Sequence, residues 1–105
     1  MTNQYTISPK ELKEQLMNGE DIQLIDVRTT EKHAIYNIGG MLIPFDDLLN
    51  RLNELSREKP IVTYCTSGGR SMRALKLLLH SGFKQVKSLD GGVTAWRATF
   101  DSEVR

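Results

Sequence analysis

Cys65, the chain's single cysteine, sits between the run Ile61-Val62-Thr63-Tyr64 and the segment Thr66-Ser67-Gly68-Gly69-Arg70-Ser71. The first run reads as a β-strand, and two glycines let the chain fold tightly behind it before a helix begins near Arg70. In that arrangement the backbone N–H groups of Thr66 to Arg70 turn inward and form an anion nest at a helix N-terminus. A sulfur at its centre meets those dipoles and the Arg70 guanidinium, which depress a thiol pKa below its ordinary value of about 8.5. The chemistry predicted is that of an exposed, nucleophilic thiolate. A lone cysteine at a strand end is otherwise a small buried hydrophobe. Two glycines, three hydroxyls and an arginine, set as a loop at a helix start, argue for the nucleophile instead.

Such a loop needs a frame. Ser8 reads as the N-cap of a helix, with Pro9 at its first position, Glu11 completing a capping box and Gly19 closing it. Tyr5 to Ile7 is a short edge strand before it, and Ile22 to Val27 a buried strand after it. A helical segment over Thr30 to Tyr36 precedes a Gly39-Gly40 turn and the brief apolar run Met41 to Ile43. Phe45, Leu48, Leu49, Leu52 and Leu55 recur at helical spacing and predict one continuous helix. Ile61 to Tyr64 is the strand before the cysteine, Arg70 to His80 a helix closed at Gly82, Val86 to Leu89 the last strand, and Gly92 to Phe100 the last helix. Strands alternating with helices predict an α/β domain with a mainly parallel sheet, whose sites form at the carboxyl ends of its strands.

Composition bounds the function. With 105 residues the chain is expected to form a single domain, residues 1–105. Hydrophobic residues make up 39% and charged residues 26%, an ordinary globular balance, and the net charge of +1 argues against nucleic-acid binding through bulk charge. No apolar run approaches the roughly 20 residues of a membrane span, and Met1 to Lys10 lacks the apolar stretch of a secretory signal. One cysteine makes neither an internal disulfide nor a zinc site of several thiolates, and a reducing cytoplasm is the expected compartment.

Three segments carry a family resemblance: Leu24-Ile25-Asp26-Val27-Arg28, the loop Cys65 to Ser71, and Leu89-Asp90-Gly91-Gly92-Val93-Thr94-Ala95-Trp96. Together, in this order, they resemble a rhodanese-like single-domain sulfurtransferase from Ile7 to about Thr99. Closer similarity is to the C-terminal rhodanese domain of the adenylyltransferases that serve sulfur-carrier proteins in molybdopterin and thiamin synthesis. There the stretch Tyr36 to Pro44 replaces the Gly-His-Ile-Pro-Gly-Ala of most rhodaneses. The resemblance implies a five-stranded, mainly parallel sheet with helices on both faces. It also implies sulfane sulfur transfer through a Cys65 persulfide, without metal or organic cofactor. Thr66, Ser67, Gly68, Gly69 and Ser71 would cradle the thiolate and persulfide, and Arg70 would assist anionic donors such as thiosulfate. Donors would be thiosulfate-like anions or persulfide-bearing proteins, and acceptors cyanide, a thiol or a sulfur-carrier protein. An adenylyltransferase would be met in trans, and the chain is expected to be a monomer.

Supporting residues follow from the same resemblance. Asp26 would tie down neighbouring loops by hydrogen bonds, Arg28 would pair with Glu31 or, alternatively, contact substrate directly, and Gly91 and Gly92 would allow a close turn at the mouth of the site. Trp96 reads as core packing, and Arg73 either enlarges the positive field at the entrance or is a solvated surface residue. His33 and His80 carry no metal-ligand spacing. Two other classes fit parts of the pattern. Cysteine-based phosphatases and arsenate reductases need a loop one residue longer from cysteine to arginine, a wider cradle than Cys65 to Arg70 makes. A non-catalytic rhodanese-like binding module usually lacks the cysteine, which this chain retains.

Overall fold

Strands that are apolar on both faces must be covered on both faces. The computed structural model, which describes residues 4–101, shows how this is met. Thr6–Ile7 (β1), Gln23–Asp26 (β2), Met41–Leu42 (β3), Ile61–Tyr64 (β4) and Val86–Leu89 (β5) form one five-stranded sheet in the order β1-β5-β4-β2-β3, with every pairing parallel. Alternate residues point to opposite faces. Ile25, Ile61 and Val86 therefore join Leu48, Leu55, Ala74, Leu75 and Leu78 in one core layer. Leu24, Val62, Tyr64 and Leu89 join Leu12 and Val93 in the other. This is the expected α/β architecture, with a sheet that is wholly parallel.

Local signals set the helix ends. Ser8 is extended, its hydroxyl accepts the Glu11 N–H at 3.1 Å, and Pro9 opens helix α1 (Pro9–Met17), which buries Leu12 completely. Helix α2 (Thr30–Ile35) is capped in the same way by Thr29. Helix α4 (Gly69–His80) turns Ser71, Ala74, Leu75 and Leu78 to the sheet, a spacing of three and four residues that makes one continuous stripe. Helix α5 (Gly92–Phe100) lies on the opposite layer, where Trp96 packs edge-to-face on Phe100 with centroids 4.7 Å apart.

The continuous helix expected from Phe45 to Leu55 is not formed. Helix α3 (Phe45–Leu48) makes one turn and hands over to a 3₁₀ segment, Leu49–Glu54, interrupted at Arg51 (φ −122°, ψ 19°). Asn50 and Asn53 are weak helix formers. Arg51 also gives both Nε and Nη2 to the Glu54 carboxylate, at 2.7 and 2.9 Å. Leu48, the last residue of α3, and Leu55, the extended residue just past the 3₁₀ segment, still reach the core.

Strand order creates the site. The connection after β2 leads outward to β3, whereas the connection after β4 leads the other way to β5. Between the carboxyl ends of these neighbouring strands the covering helices diverge and leave a crevice, the usual place for a ligand in a parallel sheet. Cys65 follows β4 at that crevice, and Arg28 lies just beyond β2.

Candidate active site

The loop from Cys65 to Gly68 is held from behind by α5. Val93 N–H donates to the Cys65 carbonyl at 2.9 Å, and Thr94 N–H to the Thr66 carbonyl at 2.9 Å. These donors are in the first turn of α5, where N–H groups lack intrahelical partners. With its carbonyls turned to α5, the loop turns its N–H groups to the sulfur. Gly68 N–H donates to Cys65 Sγ at 3.1 Å and Ser71 N–H at 3.4 Å. Gly68 can do this because it caps α4 in the left-handed region (φ 111°), which a side chain rarely adopts. Gly91 and Gly92, also at positive φ, make the turn from β5 into α5.

The sulfur is not exposed, contrary to expectation: Cys65 is 3% exposed, because the loop folds its N–H groups over it, and the Ser71 hydroxyl lies 3.5 Å from its sulfur. Burial pushes the Cys65 thiol up. The Ser71 hydroxyl and the N–H groups of Ser71, Gly68 and Ser67 outweigh it and hold the thiol below its ordinary value. The expected nest thus contacts the sulfur through Ser67, Gly68 and Ser71. No hydrogen bond joins Arg70 to the sulfur; Arg70 is exposed on the rim. Ser71 in turn is fixed by Gly68 of the motif and by two neighbours outside it, Ser88 and Thr63. Its hydroxyl donates to the Gly68 carbonyl at 3.1 Å and lies 2.7 Å from Ser88 Oγ of β5, while Thr63 Oγ1 donates to its carbonyl at 2.9 Å.

A cavity of about 310 Å³ opens over the sulfur, lined by Arg28, Lys32, Cys65, Thr66, Ser67, Gly69 and Arg70. Three cations and no carboxylate line it, which suits an anionic reactant. Arg28 and Arg70 are shared with an adjoining cavity of about 260 Å³, where Arg73, Phe45 and Asp46 also contribute. The Arg73 guanidinium lies over the Phe45 ring, 5.1 Å from its centroid, so it belongs to this rim. The largest cavity, about 470 Å³, lies around Tyr5, Ile22, Pro60 and Gln85, toward the amino ends of the strands, and contains none of these groups.

Arg28 is placed by Asp26 and not by Glu31. Asp26 accepts Arg28 Nε at 3.0 Å and Arg28 Nη2 at 2.8 Å, together with the Arg28 N–H at 2.9 Å. Arg28 Nη2 also donates to the Tyr36 carbonyl at 2.7 Å. The chain curls back at the end of β2, so residues two apart meet where a pair three apart was expected. His33 Nδ1 lies 2.9 Å from the same carboxylate. Burial pushes the Asp26 carboxyl up, but hydrogen bonds from Arg28 and His33 prevail and hold it below the ordinary carboxylate range. Tyr64, on the same layer, donates its hydroxyl to the Gly39 carbonyl at 2.9 Å. Burial and the Asp26 charge push its pKa up to about 12, so it stays protonated. Lys32, Thr63 and Ser88 are site residues that sequence reasoning missed, and His33, weighed there only as a metal ligand, lies against Asp26.

The fold and the site together define an α/β domain with a parallel sheet and a cysteine at its switch point, its sulfur met by backbone N–H donors. The chain belongs to the rhodanese-like domain family, whose model matches residues 8–99. It is 34% identical over 91 residues to a sulfurtransferase of Allochromatium vinosum, covering 86% of this chain and 85% of that protein. It is 39% identical over 95 residues to the probable adenylyltransferase/sulfurtransferase MoeZ of Mycobacterium tuberculosis, covering 87% of this chain and 24% of that larger protein. The human single-domain sulfurtransferase TSTD1 shares the fold with a TM-score of 0.82 at 26% identity, covering 89% of this chain and 95% of that one. At the level of the family, these relatives support a sulfurtransferase. Among the described residues, no helix is long and apolar enough to cross a membrane.

Proposed function

We propose that this protein moves sulfane sulfur from a donor to a thiophilic acceptor through a persulfide on Cys65. The observation that carries this reading is the convergence of the Gly68 N–H, the Ser71 N–H and the Ser71 hydroxyl on one sulfur beneath a cationic cavity. On this reading the step uses no general base, because these donors stabilise the thiolate relative to the thiol. With thiosulfate, Cys65 attacks the outer sulfur, a new sulfur–sulfur bond forms, and sulfite leaves with the electron pair of the old one. An acceptor then attacks the outer sulfur of the persulfide, and Cys65 departs as thiolate. The cycle balances without metal, organic cofactor or external redox partner.

Arg70, Lys32 and Arg28 would draw anionic donors to the cavity. A persulfide-bearing protein is an equally suitable donor, and cyanide, a thiol or a sulfur-carrier protein a suitable acceptor. With one thiol in the chain, the persulfide cannot be released through an internal disulfide, so turnover uses an external acceptor. A reducing compartment such as the cytoplasm suits a thiol that must stay unoxidised, and we take the working species as a monomer.

Intact-mass spectrometry after incubation with thiosulfate tests the reading. The expected result is a gain of one sulfur atom on the protein, lost on adding cyanide and absent from Cys65→Ser. If thiosulfate gives no adduct but a protein persulfide does, the donor assignment changes and the relay stands. No adduct from either donor overturns the reading and favours a binding module.

A further inference from the structure

Ser88 lies within β5, paired with Thr63 of β4 and Thr6 of β1. It is 1% exposed, and among the described residues the Ser71 hydroxyl, 2.7 Å away, is its side chain's one hydrogen-bond partner. Thr63, Cys65, Ser71 and Ser88 are all buried and meet under the first turn of α4. A hydroxyl has one proton and two lone pairs, so the protons of this cluster can be counted. By geometry either serine could donate to the other. If Ser71 donated, the Ser88 proton would be buried without an acceptor, a costly arrangement. Ser88 therefore donates to Ser71.

That donation occupies one lone pair of Ser71 and leaves its single proton two destinations. The Gly68 carbonyl is 3.1 Å away and Cys65 Sγ 3.5 Å. While Cys65 is a thiol, its S–H points to Ser71 Oγ and the Ser71 proton goes to Gly68. When the sulfur is charged, a rotation of the Ser71 hydroxyl brings the proton to Sγ, and no heavy atom moves.

We propose that Ser88 is a positioning residue for sulfur transfer: by donating to Ser71, it holds the Ser71 hydroxyl in place and strengthens it as a donor, so that its proton turns onto Cys65 Sγ when that sulfur carries the charge. This role rests on the persulfide reading of Cys65. In the second half-reaction the acceptor's lone pair bonds to the outer sulfur, the bond from outer sulfur to Sγ breaks, and its electron pair returns to Sγ. The Ser71 O–H meets that charge as it forms, and no proton is transferred. In the persulfide the charge is on the outer sulfur, and the Ser71 proton returns to Gly68. The pair thus favours departure of Cys65 over retention of the bound sulfur.

The pH profile of Cys65 alkylation by iodoacetamide tests this without a sulfur donor. Its outcome is therefore separate from sulfur loading, which the mass measurement on the unmodified protein decides. Ser71→Ala and Ser88→Ala should both move the profile to higher pH, slowing alkylation on its acid limb by about tenfold and about threefold. Because Ser88 acts through Ser71, the double variant should be no slower than Ser71→Ala alone. Ser88→Thr should restore the profile, and Ser88→Val, the same shape without the hydroxyl, should not. This Thr/Val comparison serves if Ser88→Ala fails to fold. A Ser88→Val profile that coincides with that of Ser88→Thr, or a double variant whose effects add, overturns the proposal.

Discussion

Gly92 lies so close to Cys65 that a β-carbon on it would fall 2.3 Å from the Cys65 carbonyl oxygen and 2.6 Å from that of Thr66. Backbone stands against backbone here, with no flexible side chain to yield. The approach lets the next two residues, Val93 and Thr94, donate to those same carbonyls. Gly92 is therefore part of the device that turns the loop's N–H groups to the sulfur. Gly92→Ala should destabilise the fold by roughly 2 kcal/mol, from the crowded carbonyls and the positive φ. It should also move Cys65 alkylation to higher pH. Urea denaturation and an iodoacetamide pH profile would check both, and a profile unchanged from the parent would contradict this account of the loop.

Cys65 has a second, thermodynamic signature. Its folded-state pKa is lowered by Ser71, Gly68 and Ser67, whose hydrogen bonds outweigh burial. Between the folded value and the unfolded value of about 8.5, the unfolded chain holds a proton that the folded chain does not, so stability rises with pH across that window. The wild-type protein should gain on Cys65→Ala as pH rises toward 8.5, keep that gain above it, and lose it as pH falls through the folded pKa. Urea midpoints of both proteins across this range would show it. Parallel curves would mean that the thiolate is not favoured.

Asp26→Asn should be costly out of proportion to its size. The side chain keeps its shape, but Arg28, 6% exposed, loses its charge partner. Breaking a buried pair in this way costs about 3 kcal/mol or more. The folded-state pKa of Asp26 is held down by Arg28 and His33 against burial, so its stabilisation is complete above the unfolded value of about 3.9 and is lost as pH falls through the folded one. The difference between wild type and Asp26→Asn should therefore shrink below about pH 4. Thermal melts at neutral and acid pH measure it, and a constant difference would show that the charge is not what stabilises.

Arg70 makes no hydrogen bond to the sulfur and sits exposed on the cavity rim, so its contribution is a screened field acting on the reactant. Arg70→Ala should raise the KM for thiosulfate by about fivefold at low ionic strength and weaken its salt dependence. Loading from an uncharged organic persulfide should change little. Equal losses with charged and uncharged donors would give Arg70 a structural role instead.

The loop around Cys65 was legible because its motif is contiguous, and the caps at Ser8, Pro9 and Gly19 marked α1 for the same reason: the signal and the structure it specifies are neighbours in the chain. Leu48, Leu52 and Leu55 misled because their spacing fits an α-helix, while the break at Arg51 and its contact with Glu54 carry no weight in a hydrophobic pattern. Ser88 was invisible for a different reason. A polar residue in a strand reads as solvent-facing, and only the register that sets it against Thr63 places it under α4. Arg28 found Asp26 and not Glu31 because the chain's curl at the end of β2 does not follow from spacing.

Two of the donors on Cys65 Sγ are backbone N–H groups, and Ser71 is buried behind them. The side chains of Thr66, Ser67 and Arg70, by contrast, are exposed on the cavity wall. Reactivity and selectivity are therefore inherited through different atoms. On the proposed sulfur-transfer reading, changes at those three positions would alter which compound the cavity admits and leave the donors on Cys65 Sγ in place, because those donors belong to the buried backbone and to Ser71.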